Sequence, residues 1–174
     1  IAGLLILIPL FPFISLAILI DDGMPIIFKQ IRIGKNGEEF KLLKFRSMRR
    51  DAEEDGVARF AVENDTRVIR IGRFLRKSHL DELPQFINVL RGDISLVGPR
   101  AERPQLIDKL QKEVPFYRAR LFVKPGATGW AQINYQYASN AEETAVKLEY
   151  DLYYIMHRNI FLRSEERRVG KEGR

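Results

Sequence analysis

The pattern of apolar and polar positions divides the chain into an uncharged beginning and a mixed remainder. Residues 1–20 contain no charged side chain, and fourteen of them are Ile, Leu or Phe. Each such residue favours bilayer insertion by roughly 0.3 to 0.6 kcal/mol, and about twenty residues match the apolar thickness of a bilayer. The pattern predicts a membrane segment. A signal peptide is the weaker interpretation, because no basic stretch precedes the run and Ile20-Asp21-Asp22 offers no small-residue cleavage site.

Two prolines interrupt this apolar run. Pro9 and Pro12 each remove a backbone hydrogen-bond donor and crowd the preceding turn. The residues alone leave two topologies open: a kinked helix that spans the membrane, and a re-entrant helix-break-helix that enters and leaves on one face. Eight Lys and Arg against two acidic residues follow between Lys29 and Arg50. That density is typical of the cytoplasmic side of a membrane and suits anionic lipid headgroups.

Beyond this basic segment, short periodic stretches predict a small mixed α/β domain. Two strand-like runs flank an Asn-Gly pair, which is a strong signal for a hairpin turn. Ser78 is expected to cap a helix that Gly92 ends, and Asn140 is expected to cap the last helix. The predicted strands cover 26–33, 39–45 and 94–97, further helices cover 67–77 and 104–112, and 123–133 is expected to be irregular or strand-like.

Composition narrows the chemistry that the chain can support. The 174 residues include no Cys and two His, His79 and His157. A thiol nucleophile and a Cys-based zinc site are therefore excluded, and a Ser-His-Asp triad is not expected. Catalysis has to use carboxylates, Lys or Arg, hydroxyl groups or a metal held by oxygen. The net charge of +6 also suits nucleic acid, but such modules rarely carry an uncharged 20-residue segment, so no nucleic-acid partner is expected.

The adjacent acids Asp81 and Glu82 form the candidate catalytic pair. They are predicted to lie in the first turn of a helix, where free N–H groups and the helix dipole favour anions. Complementing that dipole is the simpler interpretation of the pair. Carboxylates for a divalent cation, together with several cationic side chains, are what a phosphate-bearing substrate requires, and a carboxylate can itself attack phosphorus. The cationic candidates are Lys44, Arg46, Arg76, Arg100 and Lys124.

Six ordered motifs occur together in one protein family. They are Phe28-Lys29-Gln30-x-Arg32-x-Gly34, Lys44-Phe45-Arg46-Ser47-Met48, Asp81-Glu82-Leu83-Pro84-Gln85, Gly98-Pro99-Arg100, Lys124-Pro125-Gly126-x-Thr128-Gly129-Trp130-Ala131-Gln132 and Tyr150-Asp151. In these motifs the chain resembles the bacterial sugar transferases, the monotopic polyprenol-phosphate phosphoglycosyltransferases. The resemblance covers residues 1–162, and residues 100–104 and the Trp130 motif are similar to the exopolysaccharide-initiating branch.

This resemblance implies a fold, a location and an activity. The fold is α+β: a small cytoplasmic α/β catalytic domain, residues 21–162, attached to a re-entrant membrane helix, residues 1–20, at the bacterial inner membrane. Family members move a sugar-1-phosphate from a UDP-sugar to undecaprenyl phosphate and release UMP, as the first membrane step of exopolysaccharide or O-antigen synthesis. Residues 163–174 have no family likeness and are expected to be a non-native tail.

The resemblance also implies roles for individual residues. Asp81 is expected to be the nucleophile that forms a phosphosugar–aspartyl intermediate, and Glu82 to hold Mg²⁺. Ala101 stands where the family usually has Pro, so that turn is less rigid here. The alternative function is a truncated, inactive membrane-associated relative that serves as an interaction module, against which the intact acidic pair argues. The residues expected to bind substrate are Lys44, Arg46, Arg76, Arg100, Lys124 and Gln132.

Overall fold

A computed structural model of the chain describes residues 2–53, 65–135 and 140–157, with side chains described from Leu7 onward. These residues form two compact units. The first unit comprises Ile1–Gln30 and Leu42–Ile87, and the second comprises Ile31–Lys41 and Asn88–Arg174. Both units mix helices with short strands, so the mixed helix-and-strand part of the predicted α+β fold is confirmed. The non-native tail predicted at 163–174 lies outside the described residues.

The first helix, α1, covers Ala2–Asp22 and contains both Pro9 and Pro12. It ends at Gly23, which adopts φ 69° and donates its N–H to the Leu19 carbonyl at 3.0 Å, a common way to close a helix. Because one helix runs through both prolines, the predicted break between two helices is not confirmed. In the part of the chain that the structure describes, no helix is long and apolar enough to cross a membrane. Re-entry into the membrane stays a prediction.

The first unit packs its core around one face of α1. Strands β1, Ile27–Ile33, and β2, Glu39–Phe45, pair as a two-stranded sheet, joined through a 3₁₀ turn at Lys35–Gly37. The Ile31–Lys41 part of this hairpin is counted with the second unit. Asn36 adopts φ 58° in that turn, so the predicted Asn-Gly turn is confirmed. The buried apolar cluster of this unit contains Leu7, Ile14, Ile18, Phe45, Ile69 and Leu75.

The segment around Ser78 differs from the prediction. Helix α2 covers Arg70–Lys77, and the Ser78 hydroxyl donates to the Phe74 carbonyl at 2.8 Å at its C-terminal end. His79 then adopts left-handed φ 56°, and helix α3 begins only at Gln85 and ends at Arg91. The prediction that Ser78 caps a single following helix is therefore wrong, because its hydroxyl closes the helix before it.

The second unit is built on a parallel strand pair. Strand β3, Ser95–Val97, pairs with β4, Gly126–Thr128. The predicted strand at 94–97 and the helix at 104–112 are confirmed, whereas the short helix within 123–133 was not predicted. The helices of this unit are α4, Pro104–Glu113, α5, Trp130–Asn134, and α6, Ala141–His157, with a 3₁₀ segment at Tyr117–Phe122.

Two local features fix the ends of these elements. The Glu143 N–H donates to the Asn140 side-chain oxygen at 2.8 Å, which confirms Asn140 as the cap of α6. Strands β3 and β4 approach so closely that a Cβ on Gly126 would lie 2.1 Å from the Gly98 nitrogen. Only glycine fits there, and the approach brings the Gly98-Pro99-Arg100 turn against the strand that follows Lys124.

Candidate active site

The acidic pair lies in a tight turn of the first unit. Asp81 and Glu82 belong to a 3₁₀ segment, Leu80–Glu82, that follows the left-handed His79. This turn buries the Asp81 side chain while Glu82 stays half-buried. Consecutive residues of a tight turn point in different directions, so the two adjacent acids have different environments.

Two predicted cationic residues lie beside the acidic pair. Lys44, on β2, places its Nζ 2.5 Å from Glu82 Oε1. Burial is the largest influence on Asp81 and raises its pKa above the ordinary 3.8, and the Glu82 charge acts in the same direction. The positive charges of Lys44 and Arg76 oppose this rise. The structure thus brings four predicted site residues together: Lys44, Arg76, Asp81 and Glu82.

Arg46 lies in the same unit but is held at the end of α1. Its guanidinium forms an ion pair with the Asp22 carboxylate and donates to the carbonyls of Asp22, at 3.0 Å, and Gly23, at 2.5 Å. The side chain is almost completely buried. These contacts satisfy the last carbonyls of α1, so the observed partners of Arg46 are structural, and a role in substrate binding stays a prediction.

The remaining predicted site residues belong to the second unit. Arg100 is half-buried on the turn after β3, next to Gly126, whose N–H donates to the Pro99 carbonyl at 2.9 Å. Lys124 is exposed just before β4. Gln132, on α5, has a buried Oε1 that accepts no hydrogen bond from the described residues. The β3–β4 approach therefore places Arg100 and the Lys124 segment on neighbouring strands.

A buried network around Arg120 was not predicted from the sequence. Its guanidinium lies 2.7 Å from the Asp151 carboxylate, donates to the Tyr117 hydroxyl at 2.7 Å, and donates to the Arg100 carbonyl at 3.1 Å. Burial raises the pKa of Tyr117 to about 12. Glu102 completes the network at 3.8 Å from Arg120. The network fixes the backbone of the turn that carries Arg100, so it positions a predicted site residue without using that residue's own charge.

The donor chemistry of the acidic pair fits a hard divalent cation. Among the described residues, no group of three or more His, Asp or Glu side chains could hold a metal ion alone. Mg²⁺ commonly uses one or two carboxylates and completes its shell with water and substrate phosphate oxygens. Glu82 is half-buried, so its carboxylate is open to solvent, whereas Asp81 is buried. Glu82 is thus the better-placed ligand of the two.

The profile of the family described as bacterial sugar transferase matches residues 1–165. The chain belongs to that family. The match covers both units of the described structure, and it contains every residue that the sequence singled out as a candidate for the site.

Two relatives of the chain have names that describe the transfer of a sugar phosphate to undecaprenyl phosphate. The chain is 45% identical over 161 residues to the UDP-N-acetylgalactosamine-undecaprenyl-phosphate N-acetylgalactosaminephosphotransferase of Aeromonas hydrophila, covering 90% of this chain and 38% of the relative. It is 44% identical over 154 residues to the UDP-glucose:undecaprenyl-phosphate glucose-1-phosphate transferase of Escherichia coli, covering 87% of this chain and 33% of the relative. The chain thus spans about a third of the length of these curated relatives, and the two names differ in the sugar.

Proposed function

We propose that the protein transfers a sugar-1-phosphate from a UDP-sugar to undecaprenyl phosphate, through a covalent intermediate on Asp81. The observation that carries this proposal is a buried carboxyl group flanked by Lys44, Arg76 and Glu82 in a member of the bacterial sugar transferase family. The names of its relatives, which act on UDP-sugars and undecaprenyl phosphate, supply the substrate class.

The proposed reaction has two balanced steps at phosphorus. The Asp81 carboxylate attacks the phosphorus that bears the sugar; a new O–P bond forms, the bridging P–O bond of the diphosphate breaks, and UMP leaves. A phosphate oxygen of undecaprenyl phosphate then attacks the same phosphorus, and the bond to Asp81 breaks. A carboxylate nucleophile divides one difficult displacement into two easier ones, and Asp81 is regenerated without net gain or loss of a proton.

Charges around Asp81 support such a reaction. The nucleophile must be ionised, and burial alone opposes this, so the nearby Lys44 and Arg76 favour the reactive form. In the same positions their charges attract a diphosphate and offset the negative charge that develops in the transition state. Glu82 would hold Mg²⁺, which when bound neutralises phosphate charge. On the motifs that carry them, we also propose Arg100, Lys124 and Gln132 as substrate-binding residues.

We also propose that the protein works at the cytoplasmic face of the bacterial inner membrane. The apolar α1 and the basic segment between Lys29 and Arg50 support this location. An acceptor with a long isoprenoid chain is confined to the membrane, so an enzyme that uses it must meet it at that surface. The proposed location and the proposed acceptor therefore support each other.

Release of UMP tests the proposal directly. The protein in detergent micelles or nanodiscs is incubated with undecaprenyl phosphate and, in turn, UDP-glucose, UDP-galactose, UDP-N-acetylglucosamine and UDP-N-acetylgalactosamine. We expect UMP release with at least one of these, dependent on the lipid acceptor. Absence of UMP release with every sugar would instead support the inactive membrane-associated relative.

The metal is tested in the same assay. We expect turnover to require Mg²⁺ or Mn²⁺, because the site offers oxygen ligands only. Excess EDTA should abolish turnover, and added Mg²⁺ should restore it. Full turnover in excess EDTA would contradict a metal role for Glu82.

A further inference from the structure

A half-buried lysine on α6 has no partner for its charge among the described residues. Lys147 forms no hydrogen bond or ion pair with any of them. Burial, the largest influence, lowers the pKa of its ammonium group below the ordinary 10.5. Because charged groups that lose water are normally paired, the position of Lys147 indicates an anionic partner outside the part of the chain that the structure describes.

One face of α6 lies against the chain segment that follows β3. Tyr154 donates its hydroxyl to the Val97 carbonyl at 3.0 Å, at the end of that strand. About one turn earlier on α6, Asp151 pairs with Arg120 at 2.7 Å, and the same guanidinium donates to the Arg100 carbonyl at 3.1 Å. The contacts therefore advance along the segment as α6 is followed toward its beginning.

Lys147 continues this face of α6. It precedes Asp151 by four residues, and residues four apart lie one above the other on a helix. The charges of Arg100 and Glu102, the next residues of the segment, are among those that act on the Lys147 ammonium group. Lys147 and the Arg100 side chain thus belong to one cluster of charges in the second unit.

The two carboxylates of this cluster are already paired with other cations. Glu102 places Oε2 3.6 Å from Arg32 and Oε1 3.8 Å from Arg120. Arg120 also pairs with the other acid of the cluster at 2.7 Å. The Arg100 side chain, like that of Lys147, forms no hydrogen bond or ion pair with any described residue. Two cations of one cluster therefore lack a counterion there, which favours an anion that binds both.

The turn that carries Arg100 is held by its backbone, which leaves the side chain available to a ligand. The carbonyls of residues 100–102 all accept hydrogen bonds, of which the first has been described above. The Ala101 carbonyl accepts from the Arg32 guanidinium at 2.8 Å, and the Glu102 carbonyl accepts from the Ile33 N–H at 2.9 Å. A side chain on a turn fixed in this way loses less freedom when a ligand binds.

We propose that Lys147 and Arg100 together bind a phosphate group of a substrate, which makes Lys147 a substrate-binding residue that the sequence motifs do not identify. This inference rests on the proposed function. A phosphate monoester carries about 1.5 to 2 negative charges at neutral pH, which two cations complement. The diphosphate of a UDP-sugar and the phosphate of undecaprenyl phosphate share this chemistry, so the two substrates are separated by experiment.

Substitution of Lys147 tests this assignment through the two KM values. Lys147→Met removes the charge and keeps most of the stem. We expect it to raise the KM for one substrate about tenfold, equivalent to about 1.4 kcal/mol of binding. A change in the KM for the UDP-sugar assigns the site to the donor, and a change in the KM for undecaprenyl phosphate assigns it to the acceptor. If both KM values stay within about twofold of wild type, Lys147 does not bind substrate.

Matched variants separate binding from general effects of charge and structure. Lys109→Met removes an exposed cation of α4 in the same unit and should keep both KM values. Lys147→Arg should restore most of the affinity, because it keeps the positive charge. Combining Lys147→Met with Arg100→Met should raise the KM by less than the product of the single effects, since the two side chains share one ligand. A fully multiplicative effect would show that they do not share it.

Thermal unfolding gives a second measurement that does not require turnover. Inorganic pyrophosphate, added in EDTA so that no metal at Glu82 contributes, should raise the unfolding temperature of wild type and of Lys109→Met. The rise should be smaller for Lys147→Met. Without pyrophosphate, Lys147→Met should unfold at or above the wild-type temperature, because it removes an unpaired charge, whereas a purely structural role would predict a loss. An equal rise in all three proteins, or no rise in wild type, would overturn the inference.

The two measurements also separate this inference from the proposed function. A protein that binds pyrophosphate through Lys147 but releases no UMP with any UDP-sugar contradicts the proposed function and leaves the phosphate site in place. An active protein whose KM values and pyrophosphate response do not depend on Lys147 contradicts this inference alone.

Discussion

Two ion pairs of similar length lie in very different surroundings in the two units. Lys44 and Glu82 approach to 2.5 Å, and their side chains are 21% and 30% exposed. Arg120 and Asp151 approach to 2.7 Å, and their side chains are 4% and 3% exposed. Because the side chains of the first pair are partly exposed, we expect a metal ion or a phosphate to be able to replace one of its partners. The second pair is enclosed by protein and can do nothing but hold the chain around it.

The two buried carboxyl groups differ in how their charges are paired. Burial raises the pKa of both Asp81 and Asp151. Asp151 faces the Arg120 guanidinium at hydrogen-bond distance, so its charge is paired within the network. Asp81 is influenced by Lys44 and Arg76 only through their charges. A buried carboxylate that is attracted to cations without being bound by them remains accessible to a reaction partner, which is why we propose Asp81, and not Asp151, as the nucleophile.

The largest expected effect is on chemistry in the first unit. Asp81→Asn should lower turnover by at least about 10³-fold, or about 4 kcal/mol of barrier, because an amide is a far poorer nucleophile. The substitution barely changes volume, so thermal unfolding should stay near wild type. The measurement is protein labelling by a radioactive UDP-sugar without lipid: wild type should trap the phosphosugar and the variant should not. Label on the variant would favour direct attack by the lipid phosphate.

The next effect concerns stability in the second unit. Arg120→Ala should lower the free energy of unfolding by at least about 3 kcal/mol, because it leaves Asp151 buried without its partner. Urea unfolding measures the loss. Replacing both residues, as in Arg120→Met with Asp151→Leu, should be less destabilising than Arg120→Ala alone, since no charge is then left unpaired. A loss below about 1 kcal/mol for Arg120→Ala would show that the enclosed pair is not essential to the fold.

The partly exposed pair, Lys44 and Glu82, should matter more for turnover than for stability. Lys44→Met should cost about 10²-fold in turnover, since it removes a fixed charge beside the reacting group. Its cost in stability should be below about 1 kcal/mol, as for other partly exposed pairs. Lys41→Met, an exposed cation on the same strand, is the matched control and should change neither quantity. A stability loss as large as that of Arg120→Ala would remove the distinction between the two pairs.

Loss of an uncharged hydrogen bond in the second unit should reduce the free energy of unfolding by less than loss of the buried Arg120 charge. Asn140→Ala removes the acceptor for the Glu143 N–H at the beginning of α6 and should cost about 1 kcal/mol of unfolding free energy. The urea measurement should show this loss without a change in turnover. A loss equal to that of Arg120→Ala would indicate that the second unit is sensitive to any substitution, and not to the buried charge in particular.

The pH dependence of stability gives the smallest expected effect. Because burial raises the pKa of Asp81, the folded state binds its proton more tightly than the unfolded chain does. The stability of wild type should therefore fall as pH rises from the ordinary value of 3.8 toward the raised one. Asp81→Asn cannot titrate, so its stability relative to wild type should grow across that range. Urea unfolding at several pH values checks the sign, and parallel curves would contradict the raised pKa.

Features that depend on neighbouring residues could be predicted from the sequence. The Asn36-Gly37 turn, the start of α4 at Pro104 and the Asn140 cap each depend on chemistry within four residues. The error at Ser78 also has a local cause. Serine favours the beginning of a helix, but its hydroxyl equally binds the carbonyl four residues earlier, and nothing in the sequence indicated the left-handed His79 that follows.

Features that depend on distant partners were assigned less well. The sequence motif predicted Arg46 for the site, which stays a prediction, and gave no sign of its partner Asp22, which lies 24 residues earlier. The Arg120 network was missed altogether, although a signal existed. Asp151 falls three residues after the buried Leu148 on the apolar stripe of α6, and a charged residue on such a stripe requires a buried partner. The sequence alone does not identify that partner, because the two residues lie on separate elements.

The Arg46 contacts at the end of α1 bear on how far this protein could be shortened at its beginning. An obvious route is to remove α1 and keep the remainder of the first unit. Arg46 would then lose the Asp22 carboxylate and both carbonyls that it contacts, and an almost completely buried guanidinium would have no counterion. Phe45, Ile69 and Leu75 would lose their apolar cover at the same time. A useful shortened form therefore begins no later than the turns of α1 that carry Ile14, Ile18 and Asp22, and gains solubility from polar replacements at the exposed Phe13, Leu16 and Ile20.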